Sequence, residues 1–299
     1  MADAGARGTR ALTWRAWAAF WALGVIWGIP YFFIRIAVEE VSPFVVAWSR
    51  LTIAALILLP IAWHRGALRP LRPHLTAVCA FAIVEFAVPF SAISFGERWI
   101  SSSITGILIA GTPLTVVFMA RCFGMDEHLG WRRVLGLLLG LGGVMALLGF
   151  GAVSGAQGWA GVGCMVLATI GYATGPLIIQ RHLHGLESIG PIAASLTVAS
   201  LTLLLPAALT WPQRWPSAVT LSSLAVLGLL CSAVAMLLMF YLVRAAGASR
   251  AVIITYINPA VATLLGLGLL HEHLGPAGVI AFAIILIGSF LSTHQPVRG

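Results

Sequence analysis

The sequence predicts an all-α integral membrane protein in which ten transmembrane helices form two inverted-topology five-helix repeats around a central cavity. Three observations lead to this prediction. Hydrophobic residues make up 60% of the 299 residues, charged residues only 9%, and the mean hydropathy is +1.00, which is far from the composition of soluble domains. The apolar residues fall into long runs with short polar breaks, and the second half of the chain repeats the first.

Each apolar run is long enough to cross a bilayer, because a spanning helix needs about 20 apolar residues at a rise of about 1.5 Å each. The breaks between the runs are too short to hold a soluble domain. The first run is too long for a signal peptide and lacks a small-residue cleavage site, so we expect it to remain in the mature protein. The predicted spans are 15–38, 43–63, 74–96, 101–122, 132–150, 158–181, 188–210, 216–243, 248–270 and 276–293.

The distribution of arginine predicts the orientation, because cytoplasmic loops of membrane proteins are rich in basic residues. With the amino terminus inside, 13 of the 17 arginines fall in cytoplasmic segments, three (Arg35, Arg98 and Arg214) fall outside, and Arg50 lies within a span. We therefore predict a multi-pass protein of the cell inner (plasma) membrane with both termini in the cytoplasm. The net charge of +8 is spread between apolar runs and forms no basic face, so no nucleic-acid partner is expected.

A shift of 146 residues aligns the two halves without a gap as far as Pro113. After Pro113 the second half is one residue shorter, and the EHLG at 127–130 recurs at 272–275. Because the first half holds five spans, an odd number, the second half must enter the membrane upside down. We divide the chain into a cytoplasmic tail (1–14), a first repeat (15–150), a second repeat (157–293) and a second cytoplasmic tail (294–299). The matched pairs are Pro30 with Pro176, Arg35 with Arg181, Pro60 with Pro206, Arg98 with Arg244, and Pro113 with Pro259.

Inverted repeats indicate transport by alternating access, because exchanging the conformations of the two halves exposes a central site to the opposite side. The helices around such a site carry backbone irregularities, and a proline supplies one by removing a hydrogen bond of its helix. Prolines are also simply tolerated in membrane helices, but their symmetric placement here favours hinges. The predicted hinge residues are Gly28, Pro30, Pro113, Gly175, Pro176 and Pro259.

A family resemblance covers nearly the whole chain. The run WGIPYFFIRIAVEEVSPFVVAWSRLTIAALILLP, followed in each half by a proline-containing span ending in DEHLG or HEHLG and then a Gly-rich last span, resembles EamA-type members of the drug/metabolite transporter superfamily. The resemblance implies ten helices in two inverted EamA-like repeats, with the first four helices of each half around the cavity and the fifth and tenth outside. The resemblance implies a function as well, since many members export amino acids or related metabolites, and the chain resembles YddG-like amino acid exporters.

Glu85 lies near the middle of the third predicted span, where an unpaired carboxylate costs on the order of several kcal/mol. One interpretation is a group that meets a substrate ammonium or carries a proton. The alternative is a structural charge pair with Arg50, near the outer end of the second span. The repeat places Cys231 and Leu196 at the equivalent positions, so the repeat fold does not require the pair, and this favours function.

Aromatic and small polar residues complete the predicted binding site. Several lie beside the paired prolines, where rings would stack on an apolar side chain and hydroxyl or amide groups would hydrogen-bond a polar end. Interhelical packing and hydrogen bonding are the alternative for each residue taken alone. With Glu85, the predicted substrate-binding residues are Trp27, Tyr31, Phe86, Phe90, Thr112, Tyr172, Tyr256 and Asn258.

Motifs of other functional classes are missing or fail on inspection. The chain has neither a GxxxxGK[ST] phosphate loop nor a GxSxG elbow. The tripeptide HEH at 271–273 lacks the spacing of HExxH and has the repeat partner DEH at 126–128, so we interpret it as a loop and helix start, and no metal or cofactor is expected. A membrane-embedded lipid-modifying enzyme would gather acids and histidines on one membrane face, whereas this chain scatters its nine acids.

We predict a secondary transporter, without enzymatic activity, that exports amino acids or similar small amphipathic metabolites. The alternative within transport is a carrier of nucleotide sugars, sugar phosphates or drugs, but phosphorylated substrates need several basic residues at depth, and Arg50 stands alone there. The lipid-modifying enzyme is the alternative from another class. The predicted partners are a small-molecule substrate and the lipid bilayer, and we predict a monomer.

Overall fold

The computed structural model describes residues 13–122, 131–147, 153–246 and 257–293, and within these ranges all regular structure is helical. The α-helices are α1 (Trp14–Gly28), α2 (Pro30–Ala37), α3 (Pro43–His64), α4 (Leu75–Phe81), α5 (Val88–Gly96), α6 (Ser102–Ile109), α7 (Thr112–Cys122), α8 (Trp131–Leu147), α9 (Gly155–His182), α10 (Ile189–Leu209), α11 (Ala218–Gly228), α12 (Ala235–Ala246), α13 (Asn258–Leu269) and α14 (Pro276–Thr293). A 3₁₀ helix covers Arg69–His74, and two π-helical turns, π1 (Ala82–Ala87) and π2 (Leu229–Val234), join α4 to α5 and α11 to α12.

Length and composition make seven described helical stretches suitable for crossing a membrane: Trp14–Ala37, Pro43–His64, Arg69–Gly96, Ser102–Met119, Gly155–His182, Ile189–Leu209 and Ala218–Leu242. Three shorter apolar helices cover Val134–Ala146, Asn258–Leu269 and Gly278–Gly288. Large apolar side chains point outward along these helices; Leu56 is 70% exposed and Leu209 77%. Such a surface is solvated by lipid, whereas in water it would drive association.

Serine and threonine start four of the helices. The side chains of Thr13, Ser42, Ser101 and Ser217 each accept a hydrogen bond from the backbone N–H three residues later, at 3.2 to 3.3 Å. These N-caps satisfy donors that have no partner inside the helix. The short polar breaks in the sequence therefore fix where the apolar helices begin.

The predicted hinge prolines differ in their surroundings. Buried Pro30 follows an interruption at Ile29 that separates α1 from α2, and Pro113 is the second residue of α7, just after the break that separates α6 from α7. Exposed Pro176 lies within the continuous helix α9, so the expected interruption is not seen there.

The centre of the bundle is formed by α3, α10 and the two π-turns. Helices α3 and α10 pack along each other, and the Thr52 and Ser200 hydroxyls are 2.6 Å apart between them. Helix α3 also packs against π2, and α10 packs against π1. The sequence did not predict the π-turns, which are single-turn widenings of a helix that often occur at functional sites. Helices α8 and α14 pack mainly on each other.

The bundle has two ends, which we name by residues. The Glu272 end holds Arg35, Glu97, Ser102 and Glu272, which lie together through hydrogen bonds and charge interactions. The Arg65 end lies at the other end of α3, about 33 Å away for 22 residues, and holds the exposed ion pair of Arg65 with Glu187 at 3.2 Å.

Candidate substrate site at the bundle centre

Arg50 of α3 is held between the two halves of the chain and is only 7% exposed. Its Nε donates a hydrogen bond of 2.7 Å to the Ser232 hydroxyl on π2, and that hydroxyl donates in turn to the carbonyl of Leu227. The guanidinium carbon lies 3.9 Å from the ring centroid of Phe90, in a cation–π arrangement. No described residue accepts a hydrogen bond from the terminal Nη atoms, so they remain available to a ligand.

Glu85 lies on π1, and its buried Oε2 has no hydrogen-bond partner among the described residues. Helix α9 approaches the carboxyl through Gly175, where a side-chain Cβ would overlap with Oε2. One turn earlier, a Cβ at Gly171 would overlap with the carbonyl oxygen of Val84. The two glycines therefore allow α9 to pack directly on the π-turn. Gly175 was predicted as a hinge residue, and the structure adds this contact with Glu85.

The structural alternative for Glu85, a charge pair with Arg50, is not formed. Arg50 and Glu85 form no ion pair, because their charged atoms are more than 4.0 Å apart, whereas Arg65 pairs with Glu187 in the described part of the chain. The physical reason is that each group is directed elsewhere: Arg50 toward Phe90 and Ser232, and Glu85 toward Gly175.

Two tyrosines lie within electrostatic range of these charges. The charges of Arg50 and Glu85 both act on Tyr172, which also interacts with Tyr31. Tyr31 is 8% exposed and interacts with Arg50 and Glu97. Tyr172 packs against both large hydrophobic clusters of the bundle. The two phenols therefore lie near the boundary between the clusters, within electrostatic range of a buried arginine and two carboxyl groups.

Phenylalanine rings form the apolar wall beside this group. Phe81, Phe86 and Phe90 make successive edge-to-face contacts, with ring centroids 5.4 and 5.9 Å apart, and all three are buried. Phe90 shares its face with Arg50. The described structure thus brings together six of the predicted residues at the bundle centre: Tyr31, Arg50, Glu85, Phe86, Phe90 and Tyr172.

The remaining predicted residues lie elsewhere. Trp27 packs in a separate cluster between α1 and α12. Thr112 donates its hydroxyl to the carbonyl of Ile109 at 2.6 Å, across the break between α6 and α7. Asn258 starts α13, Pro259 follows it there, and Tyr256 lies outside the described residues. Gly28 faces the backbone oxygen of Asn258, 2.7 Å from where a Cβ would lie.

A cleft of about 310 Å³ opens at the Arg65 end. Residues of α9, α10, α12 and the loop between α9 and α10 line it together with Arg65, which follows α3; among them are Ile179, Leu183, Glu187 and Phe240. None of the predicted substrate-binding residues lines this cleft. It differs from the central site, and it lies toward the same end of α9 as Gly175.

Sequence reasoning missed two acidic residues at the Glu272 end. Glu272 accepts four hydrogen bonds of 2.5 to 2.9 Å from the backbone N–H and hydroxyl groups of Ser102 and Ser103. Glu97 is 0% exposed, and neither of its carboxylate oxygens has a described hydrogen-bond partner. The repeated EHLG motif was the available signal for Glu272, whereas Glu97 lies in the break between the predicted spans 74–96 and 101–122, where a charged residue is expected.

Glu40 joins the two halves at the same end. Its Oε2 accepts a 2.7 Å hydrogen bond from the Ser217 backbone N–H, and hydrogen bonding by Ser217 holds the Glu40 pKa below its ordinary value of 4.5. Because the folded pKa is depressed, the stabilisation is present above pH 4.5 and is lost as the pH falls through the folded pKa. We expect the difference in unfolding temperature between the protein and Glu40→Gln to shrink below pH 4.5. Glu39→Gln, at the exposed neighbouring position, is the control; an equal pH response of both variants would contradict the assignment.

Similarity to known proteins confirms the sequence resemblance. A model of the EamA-like transporter family matches the chain twice, over residues 16–149 and 159–294. The uncharacterized inner membrane transporter YedA of Escherichia coli is 31% identical over 293 residues, 93% of each chain. The uncharacterized transporter YdfC of Bacillus subtilis is 24% identical, covering 80% of this chain and 78% of its own. A crystal structure of a protein 19% identical has the same fold, with a TM-score of 0.65 over 93% of this chain and 96% of that one. The chain belongs to the EamA-like transporter family.

Proposed function

We propose that this family member is a secondary transporter of the cell inner membrane that exports amino acids or similar small amphipathic metabolites by alternating access. The observation that carries the substrate class is the arrangement of Arg50 and Glu85. Arg50 is buried, Glu85 is half-buried with its Oε2 atom buried, and neither neutralises the other. The inner-membrane location follows the description of YedA and the apolar helices.

An α-amino acid is complementary to this arrangement. Its carboxylate would accept hydrogen bonds from the Nη atoms of Arg50, which form charge-assisted pairs with planar anions. Its ammonium would donate to the unpartnered carboxyl of Glu85, where a buried polar group without a partner is unfavourable. A zwitterion between the two groups satisfies both, and Phe86 and Phe90 would contact an apolar side chain.

Alternating access is supported by the difference between the two ends. At the Glu272 end, hydrogen bonds join the halves through Glu272 with Ser102 and Ser103, through Glu40 with Ser217, and through Ser42 with Thr210. At the Arg65 end a cleft lined by the second half and Arg65 opens beside an exposed ion pair, a type of contact worth only about 0 to 1 kcal/mol. The halves also pack there through Gly190, where a Cβ would overlap with the Ala67 backbone oxygen. We infer a conformation closed at the Glu272 end and opening at the Arg65 end, which the arginine distribution makes cytoplasmic.

Reciprocal packing supports two repeats related by a two-fold axis, while the apolar runs and the arginine distribution support ten spans in two inverted five-helix repeats with cytoplasmic termini. The 146-residue shift carries π1 onto 228–233, within one residue of π2. Helix α3 packs on π2 as α10 packs on π1, as a two-fold relation between the halves requires. In this arrangement the breaks before Pro30 and Pro113 are the hinges on which the halves rock.

The alternatives fit less well. A nucleotide-sugar or sugar-phosphate carrier needs several cations for the phosphate groups, and Arg50 is the buried arginine among the side chains that the structure describes. A lipid-modifying enzyme needs acids and histidines gathered on one membrane face, and the carboxylates described here serve the centre and the Glu272 end separately.

Counterflow of labelled amino acids in liposomes containing purified protein tests the proposal, with an aromatic and an aliphatic substrate in parallel. For any amino acid that is transported, three competitors are compared: the amino acid, its decarboxylated amine, and its N-acetylated form. We expect only the intact zwitterion to compete, because the amine cannot pair with Arg50 and the acetylated form cannot pair with Glu85.

Glu85→Gln tests whether the Glu85 carboxyl serves substrate binding or only folding. This variant should fold, since the amide matches the carboxyl in size, but should lose affinity for the ammonium by about 10- to 100-fold, as for a lost charged hydrogen bond. Competition by sugar phosphates, or absence of flux of every amino acid with folded protein, would overturn the proposed substrate class.

A further inference from the structure

Glu97 is a buried carboxyl that the central site does not use. It caps the carboxyl end of α5, between the candidate spans Arg69–Gly96 and Ser102–Met119. Its backbone oxygen accepts a hydrogen bond from Arg35, but its side chain is 0% exposed and both carboxylate oxygens are unpartnered within the described structure. An ionised carboxylate in such surroundings is strongly disfavoured, so the group must hold a proton or gain access to water when the end opens.

Charged and titratable groups face Glu97 from three directions. Helix α2 presents Arg35 and Tyr31, and the loop before α14 presents Glu272. Helix α9 packs beside the preceding residue, Gly96, where it contributes Cys164. Burial raises the pKa of Glu97 well above its ordinary value, the charge of Glu272 raises it further, and Arg35 acts in the opposite direction.

Glu272 links this group to the contact between the two halves. Its carboxylate accepts four hydrogen bonds at the amino terminus of α6. We call this contact the serine latch: Glu272 with Ser102 and Ser103. Two neighbouring carboxylates do not both ionise readily in a buried site, so the charge of Glu272 in the closed latch favours the protonated form of Glu97.

Gly266 of α13 shows how tightly the latch is built. A Cβ at this position would overlap with Oε2 of Glu272 and with the Ser103 hydroxyl, and would lie 3.0 Å from the Ser102 hydroxyl. The backbone oxygen of Gly266 also accepts a 3.0 Å hydrogen bond from the Glu272 N–H. Gly266→Ala therefore opens the latch without changing any titratable group.

We propose that Glu97 is a proton-binding site linked to the serine latch: its carboxyl carries a proton while the latch is closed and releases that proton to water when the latch opens. Opening moves Glu272 away from Glu97 and exposes the Glu97 carboxyl to water, and both changes favour the ionised form of Glu97. Given the proposed transport function and the predicted orientation, the proton exchanges with the outer compartment, and transport becomes coupled to the proton gradient.

Infrared spectroscopy of purified protein tests the proton site without any substrate. The carbonyl stretch of protonated carboxyl groups is followed as the pH is raised, in the unmodified protein, Glu97→Gln, Glu85→Gln and Gly266→Ala. We expect Glu97→Gln to remove a band that persists at neutral pH, Glu85→Gln to leave that band in place, and Gly266→Ala to shift its loss to lower pH. An unchanged band in folded Glu97→Gln would overturn the proposal.

If Glu97→Gln fails to fold, the infrared measurement on Glu272→Gln tests the proposal instead. Removal of the neighbouring negative charge should shift the loss of the Glu97 band to lower pH, and no shift would contradict the link. In liposomes, Glu97→Gln should keep substrate exchange but lose accumulation driven by a pH gradient. If Glu97→Gln depends on the pH gradient as the unmodified protein does, the coupling is rejected but the transport function is not. If the unmodified protein shows no flux, the transport function is rejected, and the infrared measurement alone decides whether Glu97 is a proton site.

Discussion

Gly175→Ala is expected to lower the stability of the folded protein by about 3 kcal/mol and to abolish transport, because the new methyl group would overlap with the Glu85 carboxyl. Helix α9 packs directly on π1 at this point, so the overlap can be relieved only by moving the helix or by turning Glu85 away from the site. Thermal unfolding in detergent and counterflow in liposomes measure the two effects.

Two further variants isolate the cause. Gly163→Ala places the same methyl group on the same helix where no atom lies within 4 Å of it, and it should be neutral or slightly stabilising because alanine favours helix. In a Glu85→Ala background, Gly175→Ala should become less destabilising, with a coupling of about 0.5 to 3 kcal/mol. Equal unfolding temperatures for Gly175→Ala and Gly163→Ala would show that the close approach is not required.

Arg50→Lys is expected to reduce binding of the transported amino acid by about 30-fold to several thousand-fold, the equivalent of about 2 to 5 kcal/mol for a buried charge partner. Lysine keeps the positive charge but lacks the planar group that lies on Phe90 while Nε binds Ser232. The measurement is the half-saturating concentration of the amino acid in counterflow.

The same substitution at Arg65, the exposed arginine of the pair with Glu187, is the control for Arg50→Lys. Arg65→Lys keeps the charge at a side chain that is 52% exposed, where an ion pair contributes about 0 to 1 kcal/mol, so its effect on the unfolding temperature should be small. Folded Arg50→Lys with an unchanged half-saturating concentration would show that the guanidinium geometry is not part of the site.

The sequence predicted the class, the family and much of the local structure. Its apolar runs determine the helices, because a segment in lipid must satisfy its backbone hydrogen bonds internally. The serines and threonine at the breaks determine where four helices start. The class, the family and the helix starts follow from composition and from rare repeated residues. They can be predicted without knowing which helices are in contact.

The candidate site could be predicted only in part. Glu85 and the tyrosines were found because a carboxyl or phenol within an apolar run is conspicuous, and the break at Pro30 because proline removes a hydrogen bond. The π-turns were not found, since a one-residue widening is decided by packing and leaves the apolar pattern intact. Trp27 was assigned to the site by its nearness to Pro30 in sequence, yet its ring packs in another cluster.

Only the tertiary structure decided the partners of the polar groups. Arg50 meets Ser232 across 182 residues of sequence, and Ser102 meets Glu272 across 170. The direction of Arg50 away from Glu85, and the burial of Glu97 beside Glu272, depend on how the two halves pack. Sequence periodicity identifies the face of a helix but not its neighbour, and the charge state of a buried group depends on that neighbour.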